Sequence, residues 1–206
     1  ETVTISSISS VRTSSLGSTN SSSATGNADV DTNAIDGTNV FINSTAIATS
    51  TADGVSTVGD TYSALSKATA INASTSTHGV TATAVNSQTI AAKDGADLAA
   101  ANTDGTAVPG SIADGEVLLN GTNLGAITID AADNTVSAAN IRDAVNAISG
   151  TTGVTASVDG AGNFTLSASD GRNIAFTLGG TGTDDDLFSL GLGDVDQTSK
   201  VYTGQL

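Results

Sequence analysis

Cysteine, tryptophan and methionine are absent from these 206 residues, histidine and proline occur once each, and aromatic side chains make up only 3%. Without cysteine there is no disulfide framework and no thiolate for catalysis or metal binding, so stability rests on packing and strand pairing. With four Phe and two Tyr, the core has to be assembled from Ala, Val, Ile and Leu. Thin cores of that kind suit two small layered lobes better than one thick globule. Basic residues are also scarce: six Lys and Arg stand against 21 Asp and Glu, for a net charge of −15. Recognition of phosphate draws on Lys and Arg, so neither nucleic acid nor an anionic membrane is an expected partner. No run of 18 apolar residues occurs, which excludes a bilayer-spanning helix from the reading. The single histidine, His78, has neither a second histidine for a zinc motif nor a cysteine for a nucleophilic dyad, and it reads as an exposed loop residue beside Gly79. Glu1 opens directly into a strand-like TVTI stretch with no basic region, apolar segment or cleavage site, as an interior piece of a longer protein does.

What the chain does contain is turn chemistry. Seven Asp-Gly pairs, beginning at Asp36, Asp53, Asp94, Asp104, Asp114, Asp159 and Asp170, punctuate it, and turns that frequent suit antiparallel strands. Residues 14–29 and 94–115, the latter holding Pro109, are small, polar and poor in apolar side chains, and read as linkers. Two segments resemble each other at one constant spacing. Ala70-Ile71-Asn72-Ala73 matches Ala144-Val145-Asn146-Ala147, and Gly79-Val80-Thr81-Ala82 matches Gly153-Val154-Thr155-Ala156. A looser match sets Asp36–Val40 against Asn120–Leu124, at a longer spacing, which implies extra residues between hairpin and helix in the first copy.

In the second copy, Val117–Leu119 and Ala126–Ile129 flank Asn120-Gly121, a dipeptide suited to the positive φ of a tight hairpin turn. Ser137 is the expected cap of a helix carrying Ile141, Ala144, Val145 and Ile148 on one stripe, ended by Ser149-Gly150. Three alternating trios follow: Val154, Ala156 and Val158; Phe164, Leu166 and Ala168; Ile174, Phe176 and Leu178. Short turns between them predict antiparallel pairing. The first copy is expected to hold strands Val40–Ile42 and Ala46–Ala48, a helix Ser63–Ala73 carrying Leu65, Ala68 and Ile71, and a returning strand Val80–Val85. The expected fold is therefore α+β, mostly antiparallel β with two short helices, in duplicated strand-strand-helix-strand-strand units. Residues 1–30 form an entry strand and linker, 31–110 a first lobe and 111–206 a second.

Candidate chemistry is sparse. Gly179-Gly180-Thr181-Gly182-Thr183-Asp184 fits the start of a calcium-binding nonapeptide repeat, but Asp186 stands where that repeat wants a large apolar residue, and one copy cannot form the stacked turns that share each ion. Asp184–Asp186 reads as a flexible, solvated acidic turn. The Asn-x-Ser/Thr triplets at Asn20, Asn43, Asn72, Asn120 and Asn163 are what a chain this rich in those residues produces by chance. No catalytic, cofactor-binding or metal-ligating residue is assigned, and no cofactor is expected. A glycosidase built on two carboxylates is disfavoured by the shortage of aromatic residues to line a sugar pocket.

The helix and following strand, Val136–Asn146 and Thr152–Val158, with the turn Asp170-Gly171-Arg172-Asn173-Ile174, resemble the short repeat of flagellins and flagellar hook-associated proteins. A weaker twin spans Leu65–Val85, and Glu1–Ile5 with Ser15-Leu16-Gly17 resembles the exit of a flagellin from its inner helical domain. The resemblance implies the variable outer region of a bacterial flagellin: a structural, non-enzymatic, secreted segment of the filament surface, antigenic and supporting motility. It would meet other flagellin subunits through parts of the parent protein outside this chain, and be monomeric when isolated. A filament cap protein and a calcium-dependent surface adhesin repeat are the alternatives.

Overall fold

The computed structural model describes residues 23–26, 28–101, 110–193 and 197–206. The expected Glu1–Ile5 strand, most of the 14–29 linker, Asn20 and Pro109 lie outside those residues. In chain order the elements are β1 (Phe41–Ile42), β2 (Thr45–Ala46), α1 (Ala64–Asn72), the single turn α2 (Thr75–His78), β3 (Asn86–Ala91), α3 (Gly95–Ala101), β4 (Ser111–Ile112), β5 (Val117–Leu119), β6 (Thr122–Asn123), β7 (Ile127–Thr128), α4 (Asn134–Ala147), the single turn α5 (Ser149–Thr152), β8 (Thr155–Val158), β9 (Asn163–Ala168), β10 (Ile174–Leu178), α6 (Asp184–Ser189) and β11 (Ser199–Tyr202). The architecture is α+β and every strand pairing is antiparallel. More helical segments form than the two expected, because Asp94 accepts from the amides of Ala96 and Asp97 and so caps α3, while a capping box starts α6.

Alternation places Phe164, Leu166 and Ala168 of β9 on one fully buried face, and α4 lays Ala138, Ile141 and Val145 over it. The cap of α4 is Asp133, whose side chain accepts from the Thr135 amide, and not Ser137. Ser137 is buried instead, donating to Asp133 O and accepting from the Asp130 amide. The three trios do not make one meander. β8 pairs with β9, but β10 leaves that sheet to lie between β5 and β11, and β3 takes the other side of β9. Burial explains the departure: Ile174, Ala175 and Phe176 are all buried, so β10 presents apolar groups on both faces and needs an interior place. The hairpin is also tighter than expected. β5 turns through Asn120-Gly121, at φ 45° and 75°, into β6, whereas Ile127 and Thr128 pair with β4.

Two apolar clusters result. The larger joins Phe164, Phe176, Leu119, Ile141, Leu187 and Leu190 with Ile90, Ala92 and Leu98. The smaller holds Ile35, Ile47 and Ala70, with Val40, Ile42 and Ile71 packed on it. The returning strand of the first copy is displaced: residues 81–84 form no strand, and β3 begins at Asn86, so its apolar positions serve the larger cluster. β3 and α3, which precede residue 110, pack with residues that follow it.

Candidate interaction surface and the paired asparagine sites

The same local geometry occurs twice, and asparagine side chains organise it. Asn43 and Asn120 both occupy the left-handed region, at φ 48° and 45°, as the first central residue of a two-residue hairpin turn. Both donate Nδ2 to the last carbonyl of a single helical turn: Asn43 to His78 O at 2.7 Å, Asn120 to Thr152 O at 3.1 Å. Each turn then ends on a left-handed glycine, Gly79 or Gly153. One strand bond beyond the hairpins, Ile47 N donates to Val40 O at 2.9 Å and Leu124 N to Val117 O at 3.0 Å. A further pair of partners closes both ribbons, Ser50 N to Ile35 O in one and β4 with β7 through Ile112 and Ile127 in the other.

The parallel continues through the helices. Asp53 Oδ1 accepts from the amides of Val55 and Ser56, and Asp130 Oδ1 from those of Ala132 and Asp133. At the helix ends, Asn72 holds Ala82 by two bonds of 2.8 Å, from Nδ2 to the carbonyl and from the amide to Oδ1. Asn146 holds Ala156 identically, at 2.9 and 2.8 Å. An asparagine used in this way mimics a neighbouring strand, satisfying the outward backbone groups of an edge residue. Hairpin residues 35–47 correspond to 112–124, and helix residues 63–82 to 137–156. The first copy is longer only at Thr57–Tyr62, which stands in the place of Asn134–Val136 in the second. The expected match of Asp36–Val40 with Asn120–Leu124 is therefore misregistered; Asn43–Ile47 stands in that place.

One core substitution and one difference in cover set the copies apart. Lys67 occupies the position of Ile141; its stem is buried, the residue being 7% exposed, and its ammonium donates to Asp31 O. Burial holds its pKa below the ordinary lysine value, against the opposing pull of Asp31. Val40 and Ile71 are only half-buried where Val117 and Val145 are fully buried. Together with Ile35, Lys67, Asn39 and Leu206 they line an open groove of about 370 Å³.

His78 and Asp186, both weighed as possible chemistry, are bonded to the protein's own backbone. His78, expected in solvent, is 4% exposed; its Nε2 lies 2.9 Å from Ile71 O and its Nδ1 accepts from the Val80 amide, so it is a structural plug at the end of α2. Asp184–Asp186, expected as a solvated turn, starts α6: Asp186 is 2% exposed and accepts from the Thr183 amide and hydroxyl. Burial raises its pKa, and Glu116 and Asp184 add repulsion, while the Thr183 bonds oppose the rise. At Asp53 and Asp170 burial is outweighed, by bonds from Ser56 and Ser63 in one case and from Arg172 in the other, and both carboxyls titrate below the usual range. Tyr202 is pushed up to about 12 by burial and by Asp29. No group of three or more acidic, histidine or cysteine side chains among the described residues is arranged to hold a metal ion. The amide nitrogens of Asn43, Asn72, Asn120 and Asn163 each donate to a protein acceptor. The repeated Ala-[Ile/Val]-Asn-Ala signature could have pointed to the Asn72 and Asn146 clasps; nothing in the sequence marked Asn43.

Residues 118–170 match the family model described as the Flagellin hook IN motif. The match spans β5 to the end of β9 and includes the Asn120 and Asn146 sites. It supports a structural component of flagellin or hook type. No curated protein matches the chain. Among the described residues no helix is long and apolar enough to cross a membrane.

Proposed function

We propose that this chain is the outer, solvent-facing part of a bacterial flagellin, secreted into the flagellar filament, where it forms the antigenic surface and supports motility without catalysis. The observation that carries this reading is the match of residues 118–170 to the Flagellin hook IN motif. It is supported by the recurrence of the same hydrogen bonds over residues 35–82, which we read as a second, degenerate copy of the motif. Lobes over 31–110 and 111–206 follow from that duplication, the first lending β3 and α3 to the core of the second, with 1–30 as the entry strand and linker. Gly26 and Val30 lie against the last residues of the chain, with Gly26 N donating to Leu206 O and Val30 N to Gly204 O, both at 2.7 Å. An outer lobe tethered to an inner one by two adjacent strands has that arrangement. Contacts with other subunits then run through parts of the parent protein outside this chain, and the acidic surface keeps isolated copies apart as monomers, away from nucleic acid and membranes. A calcium adhesin is less well supported, because the glycine-rich acidic stretch builds a helix cap from its own side chains.

The chain has no cysteine, so Ala161→Cys, at an exposed position of the Asp159–Gly162 turn, gives a single labelling site. Maleimide dye on intact motile cells should decorate filaments along their whole length. Label confined to the filament tip would assign the chain to a cap, and label over the cell body to an adhesin.

A further inference from the structure

The two asparagine turns differ in one respect that the duplication makes legible. In the second copy β5 has a partner on each side: β6 along one edge and β10 along the other. Asn120 anchors the β10 side, its N–H donating to Ala175 O at 2.8 Å and its Oδ1 accepting from Ala175 N at 2.9 Å. In the first copy, β2 is the one strand that pairs with β1 among the described residues. Asn43 keeps the bond to His78 O, but its N–H and Oδ1 bind nothing among the described residues. Beside it Phe41, the counterpart of Leu118, is 61% exposed, and the groove of Val40, Ile35 and Ile71 stays open.

The geometry points to β1 as a docking edge for an extended strand of another polypeptide, clamped at one backbone amide by Asn43. The occupant's chemistry is read from β10 on the equivalent frame. Ala175 meets Asn120, Phe176 pairs with Leu119, and Leu178 pairs with Val117. The counterparts of Leu119 and Val117 are Ile42 and Val40, which pack towards α1. A visiting strand therefore needs a small residue at Asn43, then apolar residues at alternate positions over Ile42 and Val40, entering the groove. Asn43 is already held in its left-handed conformation by the hairpin and by His78 O, so no reorganisation of the turn accompanies binding. This inference goes beyond the filament reading and rests on the internal comparison alone.

The test is to add a synthetic peptide with the sequence of Asn173–Gly179 to the 15N-labelled 206-residue chain and follow amide shifts. Saturable shifts centred on residues 40–43 are expected. A peptide N-methylated at the alanine, which removes the N–H that Asn43 Oδ1 accepts, should bind at least tenfold more weakly, and so should the native peptide to Asn43→Gly, which keeps the positive φ. Absence of shifts at 40–43, or shifts indifferent to N-methylation, overturns the proposal. Concentration-dependent shifts at the same residues in the protein alone would overturn the choice of occupant in favour of a second copy of this chain.

Discussion

Replacing Asn120 and Asn43 in turn by alanine separates the shared frame from its surroundings. Both substitutions put a Cβ residue without a side-chain amide into the left-handed region, which costs about 1 kcal/mol in each case. Asn43→Ala further loses the part-buried bond to His78 O, but Asn43 itself is exposed and no buried amide is stranded, so its total should be about 1–2 kcal/mol. Asn120→Ala loses the bond to Thr152 O and also strands the N–H of Ala175, a residue only 1% exposed, and an unsatisfied buried donor costs about 1–3 kcal/mol. The expected total is about 3–4 kcal/mol. Asn120→Gly, which accepts φ 45° freely, should recover about 1 kcal/mol of that. Urea unfolding at constant m-value reads these differences as shifts of the midpoint. Equal losses at the two positions, or a larger one at Asn43, would refute the argument that the copies share a frame but differ in cover.

Ile141→Asp forces an unpaired carboxylate between α4 and the β8–β9 sheet and should destabilise by more than about 3 kcal/mol, while Arg142→Ala, whose partner is the exposed Asp143, stays within about 0.5 kcal/mol; thermal melts that do not separate them would contradict the helix face assigned here. The depressed carboxyls of Asp53 and Asp170 contribute stability that is complete above the ordinary Asp value of about 3.9 and is lost as pH falls through their lower folded values, so acid unfolding should set in below about pH 4. Asp186 works in the opposite sense: its folded pKa is raised, its ionised form is disfavoured at pH 7, and Asp186→Asn should raise the melting temperature at pH 7 and lose that advantage near pH 4. Millimolar calcium should leave the melting temperature unchanged, since a ligand held only by the folded state would raise it visibly; a chelator-reversible rise would revive an ion site.

The elements legible in the sequence were those fixed locally. The apolar stripe of α4, the alternation of β9 and the Asn120-Gly121 turn all depend on residues within a few positions of each other, and each appears where its pattern places it. What escaped was set by distant partners. The alternation of β10 gave no hint that it would cross to β5 and β11, because period two is the same whichever strand lies alongside. β3 began later than expected, since Val85 bridges Gln205 and the apolar positions that matter, Ile90 and Ala92, lie beyond it. His78 looked like a loop residue because its partners are backbone atoms, Ile71 O and the Val80 amide, which no composition argument reveals. Lys67 was invisible as a core residue for the reason that charged heads are assigned to solvent, although the stem can lie buried.

The central claim is that this chain decorates a filament without building it. Among the described residues the longest helix is α4, Asn134–Ala147, too short to form the extended coiled-coil core a polymer of subunits needs. Replacing residues 1–206 in the parent protein by a short Gly/Ser linker, and imaging the cells by electron microscopy with antibody raised against the intact filament, puts the claim to its most direct test. Filaments that still assemble but lose most of their surface antibody binding are the predicted result. Normal export of the shortened protein with no filaments formed would contradict the account, because this segment would then supply assembly contacts.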